Sequence, residues 1–130
     1  MSNFKKEDTY EDMAATFQVY MIHLLNDSLK KAGIKDKEKR KGIINDYASS
    51  FSIWKDQYWF KDTEGNKVFP CISFSEKGPA SDLEIKELGD VYFPSNMFSF
   101  REYLNGDLDY YFEEINEDIS QIESGQLIKE

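Results

Sequence analysis

The chain has one cysteine, one histidine, three prolines and no long apolar run, and each scarcity excludes something. A lone cysteine, Cys71, cannot close an internal disulfide, which points to a reducing compartment. One Cys and one His cannot supply the four nitrogen and sulfur ligands of an ordinary zinc centre. The same count excludes the paired Glu-x-x-His motifs of di-iron bundles, so neither metal nor cofactor is expected. The mean hydropathy is −0.65, and no window of about 18 consecutive apolar residues is available to cross a bilayer. The first ten residues carry acids where a secretory leader needs an apolar stretch. The expectation is a cytoplasmic protein without a signal peptide or a membrane partner.

Aromatic side chains, in contrast, are plentiful: 10 Phe, 8 Tyr and 2 Trp in 130 residues. A chain of this length is expected to form a single domain, 1–130, with frayed ends at about 1–7 and 125–130. Its core rests on few but large side chains. Charge is unevenly spread. Residues 1–75 hold 12 basic and 11 acidic side chains, a net of +1, whereas residues 76–130 hold 4 and 14, a net of −10. Direct nucleic-acid binding by the acidic half is not expected, because the phosphate backbone is held by clustered Lys and Arg.

Apolar residues at Tyr10, Met13, Ala14, Phe17, Met21, Leu24 and Leu25 recur at helical spacing. Asp8 or Thr9 is placed to cap this helix, with Asp12 in the position of a capping box. Gly33 should end it in a left-handed conformation, with Ile34 folding back on Leu29. Asp36 should cap a second helix that buries Ile43, Ile44, Tyr47, Ala48, Phe51 and Trp54 and ends near Asp56. Tyr58 to Lys61 and Lys67 to Ser75 read as a β-hairpin around Gly65 and Asn66, covered on one face by the helices. Pro70 argues for an edge or a bulge. Val91 to Phe93 reads as a third strand closed by Pro94. A short helix capped by Ser95 or Asn96 should run through Leu104 and end at Gly106, and a last one, capped by Asp107, should carry its apolar face to Ile122 and end before Gly125. The expected fold is α+β: an antiparallel helical hairpin on a small antiparallel sheet of two or three strands, then two C-terminal helices.

The last predicted helix holds seven acids, Asp107, Asp109, Glu113, Glu114, Glu117, Asp118 and Glu123, and no base occurs between Gly106 and Ile128. Such a face is either solvated or a docking surface for a cationic protein. The candidate contact residues are Asp109, Tyr110, Glu113, Glu114, Glu117 and Asp118, where tyrosine beside carboxylate suits a basic partner through ion pairing and cation–π attraction. The counterpart, the basic run Lys30 to Lys41, reads as a solvated turn between helices, or as a surface that meets the acidic helix of a second copy. His23 reads as a helix-flank residue, Cys71 as core or half-buried, and the aromatic group Phe51, Trp54, Tyr58, Trp59, Phe60 and Phe69 mostly as core. The function expected is that of a small acidic binding protein, an inhibitor or immunity-type protein acting on a basic partner such as a nucleic-acid enzyme or toxin. Two alternatives are a homodimeric adaptor and a hydrolase built on paired carboxylates.

Overall fold

The computed structural model describes residues 4–95 and 98–123. The protein has an α+β fold with a helical layer on a small mixed sheet. Helix α1 spans Thr9–Lys31 and helix α2 spans Lys37–Gln57. Their junction is a Schellman motif. The Ile34 amide donates to the Leu29 carbonyl and the Gly33 amide to that of Lys30, both at 3.0 Å. Gly33 sits at φ +92° with open space where a Cβ would stand, so its role is conformational. Gly33→Ala is expected to lower stability by about 1 kcal/mol in urea unfolding, the cost of left-handed backbone for an L-residue. Asp36 caps α2 as expected, its carboxylate accepting from the Glu38 amide at 3.1 Å. At the other N-terminus the expected capping box is absent: Asp8 takes the cap position without a side-chain bond, and Thr9 already lies inside the helix.

The sheet departs from expectation. Strand β1, Phe4–Lys6, lies where a frayed end was expected and pairs parallel with Val91–Phe93. The predicted Lys67 to Ser75 strand is two short strands. Lys67–Val68 (β3) pairs antiparallel with Phe60–Lys61 (β2), and Phe74–Ser75 (β4) joins Val91–Phe93 (β5) in the order β1-β5-β4. The three-stranded sheet is therefore mixed rather than antiparallel. Pro70, without an amide proton, lies in the irregular stretch between β3 and β4. The β2–β3 turn is held by the Asp62 carboxylate, which accepts from the amides of Glu64 and Asn66 at 2.9 Å. The helices leave most of this hairpin uncovered: Trp59, Phe60 and Phe69 are all exposed, although the ring of Trp54 from α2 lies on that of Phe60.

The C-terminal helices also differ. Ser99 caps helix α3, Phe100–Asp109, accepting from the Arg101 amide at 3.2 Å. This helix runs straight through Gly106, because Leu104 and Leu108 on either side of it are buried in the core. It then widens into a π-helical turn, Tyr110–Glu114. Asn116 and Glu117 follow in left-handed conformations at φ +51° and +64°, before a short helix α4, Ser120–Glu123. No single acidic helix runs from Asp107 to Ile122. The main core lies among α1, α2, α3 and the π turn, around Val19, Ile22, Ile44, Ala48, Leu108, Tyr111 and Phe112. A second cluster, Tyr10, Ala14 and Phe100 with Ile72, Phe74, Tyr92 and Phe98, joins the start of α1 to the sheet.

Candidate functional site

The two charged segments singled out in the sequence meet each other within one chain. Lys41 Nζ lies 3.4 Å from Glu113 and 3.8 Å from Asp109, and Lys37 lies 3.8 Å from Glu113. Glu117 lies 3.1 Å from Lys30 and 3.4 Å from Arg40. Asp118 accepts from the hydroxyl and amide of Ser120, at 2.7 and 3.1 Å, and both bonds hold its carboxyl below the usual range. The hydroxyl of Tyr110 is buried without a hydrogen-bond partner. Of the six candidate contact residues, Glu114 is exposed and has no ion-pair partner among the described residues.

Arg40, expected in a solvated turn, is instead almost fully buried. Its Nε donates to Asn26 Oδ1 at 2.8 Å and its terminal nitrogens to the carbonyls of Ile34 and Lys35 and to Glu117. Asn26 Nδ2 in turn donates to Glu117 at 2.9 Å and to the Tyr111 hydroxyl at 3.3 Å. That leaves the tyrosine proton free to go to Nδ1 of His23, 2.7 Å away. Burial alone would raise the Glu117 carboxyl. Hydrogen bonds from Asn26 and Lys30, together with the Lys30 and Arg40 charges, outweigh it and hold the group below its ordinary value. Each of the three guanidinium nitrogens of Arg40 is engaged inside the fold, so the network works as a latch for the C-terminal segment.

Asp107, expected as a helix cap, is buried within α3 and faces Gln18 of α1, whose Nε2 donates to it at 2.8 Å. Burial pushes its carboxyl up to about 7, and this single hydrogen bond only partly opposes the shift. Oε1 of Gln18 has no partner. Between α2 and α3 runs an open groove lined by Glu38, Lys41, Asn45, Asn105 and Asp109. Cys71 is exposed rather than in the core. Among the described residues no group of three His, Cys, Asp or Glu side chains is placed to hold a metal ion. None of the helices described is long and apolar enough to cross a membrane.

The most distinctive surface is apolar. Ile43, Tyr47, Phe51 and Trp54 recur at intervals of four, four and three along α2, one position round from its buried stripe of Arg40, Ile44, Ala48 and Ser52. Tyr47 stacks on Phe51 with centroids 6.3 Å apart, and Trp54 stacks on Phe60 of β2 at 6.2 Å and 9° between planes. Together these residues form an apolar strip that runs along α2 from Ile43 and onto Phe60 of β2. Tyr47 is 51% exposed, Trp54 40%, Tyr58 54% and Phe60 49%. Trp59 and Phe69 occupy the other face of the hairpin, where Lys67 sits over the Trp59 ring at 4.4 Å. The sequence showed this aromatic grouping but placed most of it in the core. Helical periodicity registers that a stripe is apolar, not whether another element covers it. Compared with known protein families, with curated proteins and with solved structures, the chain matches none.

Proposed function

We propose that this chain is a small acidic binding protein with no chemistry of its own, which docks another protein on the aromatic strip of α2 and β2. The observation that carries this reading is the strip itself: Tyr47, Trp54, Tyr58 and Phe60 are half-exposed, and three of them belong to two stacked pairs, Tyr47 with Phe51 and Trp54 with Phe60. Tyr and Trp are the residues that most often anchor interfaces, because a rigid amphipathic ring contributes a large contact area at little entropic cost. Exposed apolar patches of several hundred Å² mark interaction sites. Tyr47→Ala combined with Trp54→Ala is expected to weaken capture of partner proteins from a lysate more than tenfold. Thermal melting followed by circular dichroism should change little, since neither ring belongs to the buried core. Capture that survives both substitutions in a folded chain would refute this reading.

A second reading is an inhibitor-like or immunity-type protein whose acidic face receives a cationic partner. It is favoured by Glu114, which is exposed and has no ion-pair partner among the described residues, and by the net charge of −10 in residues 76–130. Such a partner must compete with Lys30, Lys37, Arg40 and Lys41, which already neutralise Asp109, Glu113 and Glu117. Binding of this kind should weaken steeply with added salt, whereas docking on the strip should not.

A further inference from the structure

We propose that the groove between α2 and α3 holds an extended peptide segment of another protein, one that carries Lys or Arg. This rests on the reading of a cationic partner and goes beyond it by giving that partner a site and a form. The groove has a volume of about 470 Å³, within the range of ligand sites in proteins. Two contacts set its walls antiparallel: Lys41 meets Asp109 toward one end of the helix pair, and Asp56 accepts from Ser99 at the other. The α2 wall is Glu38, Lys41, Gly42 and Asn45, spaced as successive turns of one helix face. That face flanks the buried stripe of α2 on the side away from the aromatic strip, so the groove and the strip are separate surfaces.

Gly42 is the observation that points to a ligand. Glycine in the middle of a helix costs stability relative to alanine. Nothing inside the chain requires it here: a Cβ at this position would meet no atom within 4 Å, and the residue lines the groove. Bare backbone is useful where another backbone approaches closely. Asn45 and Asn105 stand on the two walls, and neither carboxamide has a hydrogen bond among the described residues. Each offers an oxygen that accepts and an NH₂ that donates, which matches the N–H and C=O of a peptide unit. Charge selects the side chains of the segment. The Glu38 carboxylate has no ion-pair partner among the described residues. Asp109 pairs with Lys41 at 3.8 Å, and Glu113 shares that lysine at 3.4 Å. Residues 35–46 and 101–114, which include both walls, hold eight acids against six bases. The excess of carboxylate draws a cationic segment and repels an acidic one.

Fluorescence anisotropy tests this with a pool of fluorescein-labelled octapeptides, Lys or Arg at alternate positions and mixed residues between, titrated with the full chain. Saturable binding is expected below about 1 mM. Gly42→Leu fills the open space and removes the glycine. It should weaken binding more than about tenfold, the scale of a lost interface anchor, while the urea midpoint stays equal to or above that of the native chain. Asn45→Ala combined with Asn105→Ala should weaken binding by a similar factor, and Tyr47→Ala combined with Trp54→Ala should leave it unchanged. Binding that survives both the Gly42 and the paired Asn substitutions overturns the proposal. So does displacement of the pool by spermine as effective as by unlabelled peptide of equal charge, because spermine has the cations and no peptide bonds. If the pool does not bind while capture of basic proteins still falls steeply with salt, the groove is wrong and the cationic partner stands. If the pool does not bind and capture is indifferent to salt, both fail.

Discussion

Replacing Arg40 by Leu should lower stability by about 3–5 kcal/mol, the usual cost of removing one member of a buried, hydrogen-bonded ion pair. Leucine fills part of the space and supplies no donor. It leaves Asn26 Oδ1 and the Ile34 and Lys35 carbonyls without their donor, and it leaves Glu117 with Asn26 and Lys30 alone. Urea unfolding monitored by circular dichroism measures this directly, and a loss below 1 kcal/mol would show that Arg40 is dispensable to the latch. Glu117→Gln provides the contrast: the amide oxygen still accepts from Asn26, so a smaller loss is expected. The pH dependence has a definite sign. The folded Glu117 carboxyl lies below its ordinary value, so its stabilisation is present above the unfolded pKa, near 4.3, and is lost as pH falls through the folded pKa. Glu117→Gln should remove that component of acid sensitivity.

Asp107→Asn should act in the opposite direction and make the protein more stable at neutral and alkaline pH. The Asp107 carboxyl titrates at about 7 in the folded chain against about 3.9 unfolded. A raised carboxyl pKa means that the folded state prefers the protonated form. Stability from this site is therefore fully present below about pH 4, declines as pH rises through 7, and is flat above that. Three pKa units correspond to about 4 kcal/mol, so a gain of about 2–4 kcal/mol is expected for Asp107→Asn at pH 8 and almost none at pH 4. Asparagine can also donate to the orphaned Oε1 of Gln18 while accepting from its Nε2, satisfying a buried group that the native pair leaves unpaired. Parallel urea titrations at pH 4, 6 and 8 decide it: native and substituted curves that shift together across this range would refute the raised pKa.

These two sites also show where a linear reading runs out. Arg40 sits in a run of lysines that resembles any solvated turn, and its burial follows from the position of the Schellman turn and of Glu117, which is 77 residues away. Asp107 follows a glycine and precedes an apolar repeat, which is the local signature of a helix cap. What overrides it is the burial of Leu104, Leu108, Tyr111 and Phe112 against α1 and α2, which repays the cost of glycine in mid-helix, about 1 kcal/mol. The acidic cluster was legible as composition. That Lys37 and Lys41 neutralise part of it was not, because the pairing joins positions 72 residues apart in the case of Lys41 and Glu113.

The sequence by itself determined the two long helices, their capped junction at Gly33 and Asp36, the turn at Asp62 to Asn66 and the α+β class. Each of these rests on contacts within about four residues, where periodicity, capping and backbone preference act directly. Only the tertiary structure decided the rest. It recruited Phe4–Lys6 into a parallel pair with Val91–Phe93, turned the acidic helix into a π turn and a latch, and left the α2 aromatics uncovered. Strand partners, ion pairs across the chain and the exposure of an apolar stripe depend on which distant segments meet. That is settled by the burial of the whole chain and leaves little trace in any local window.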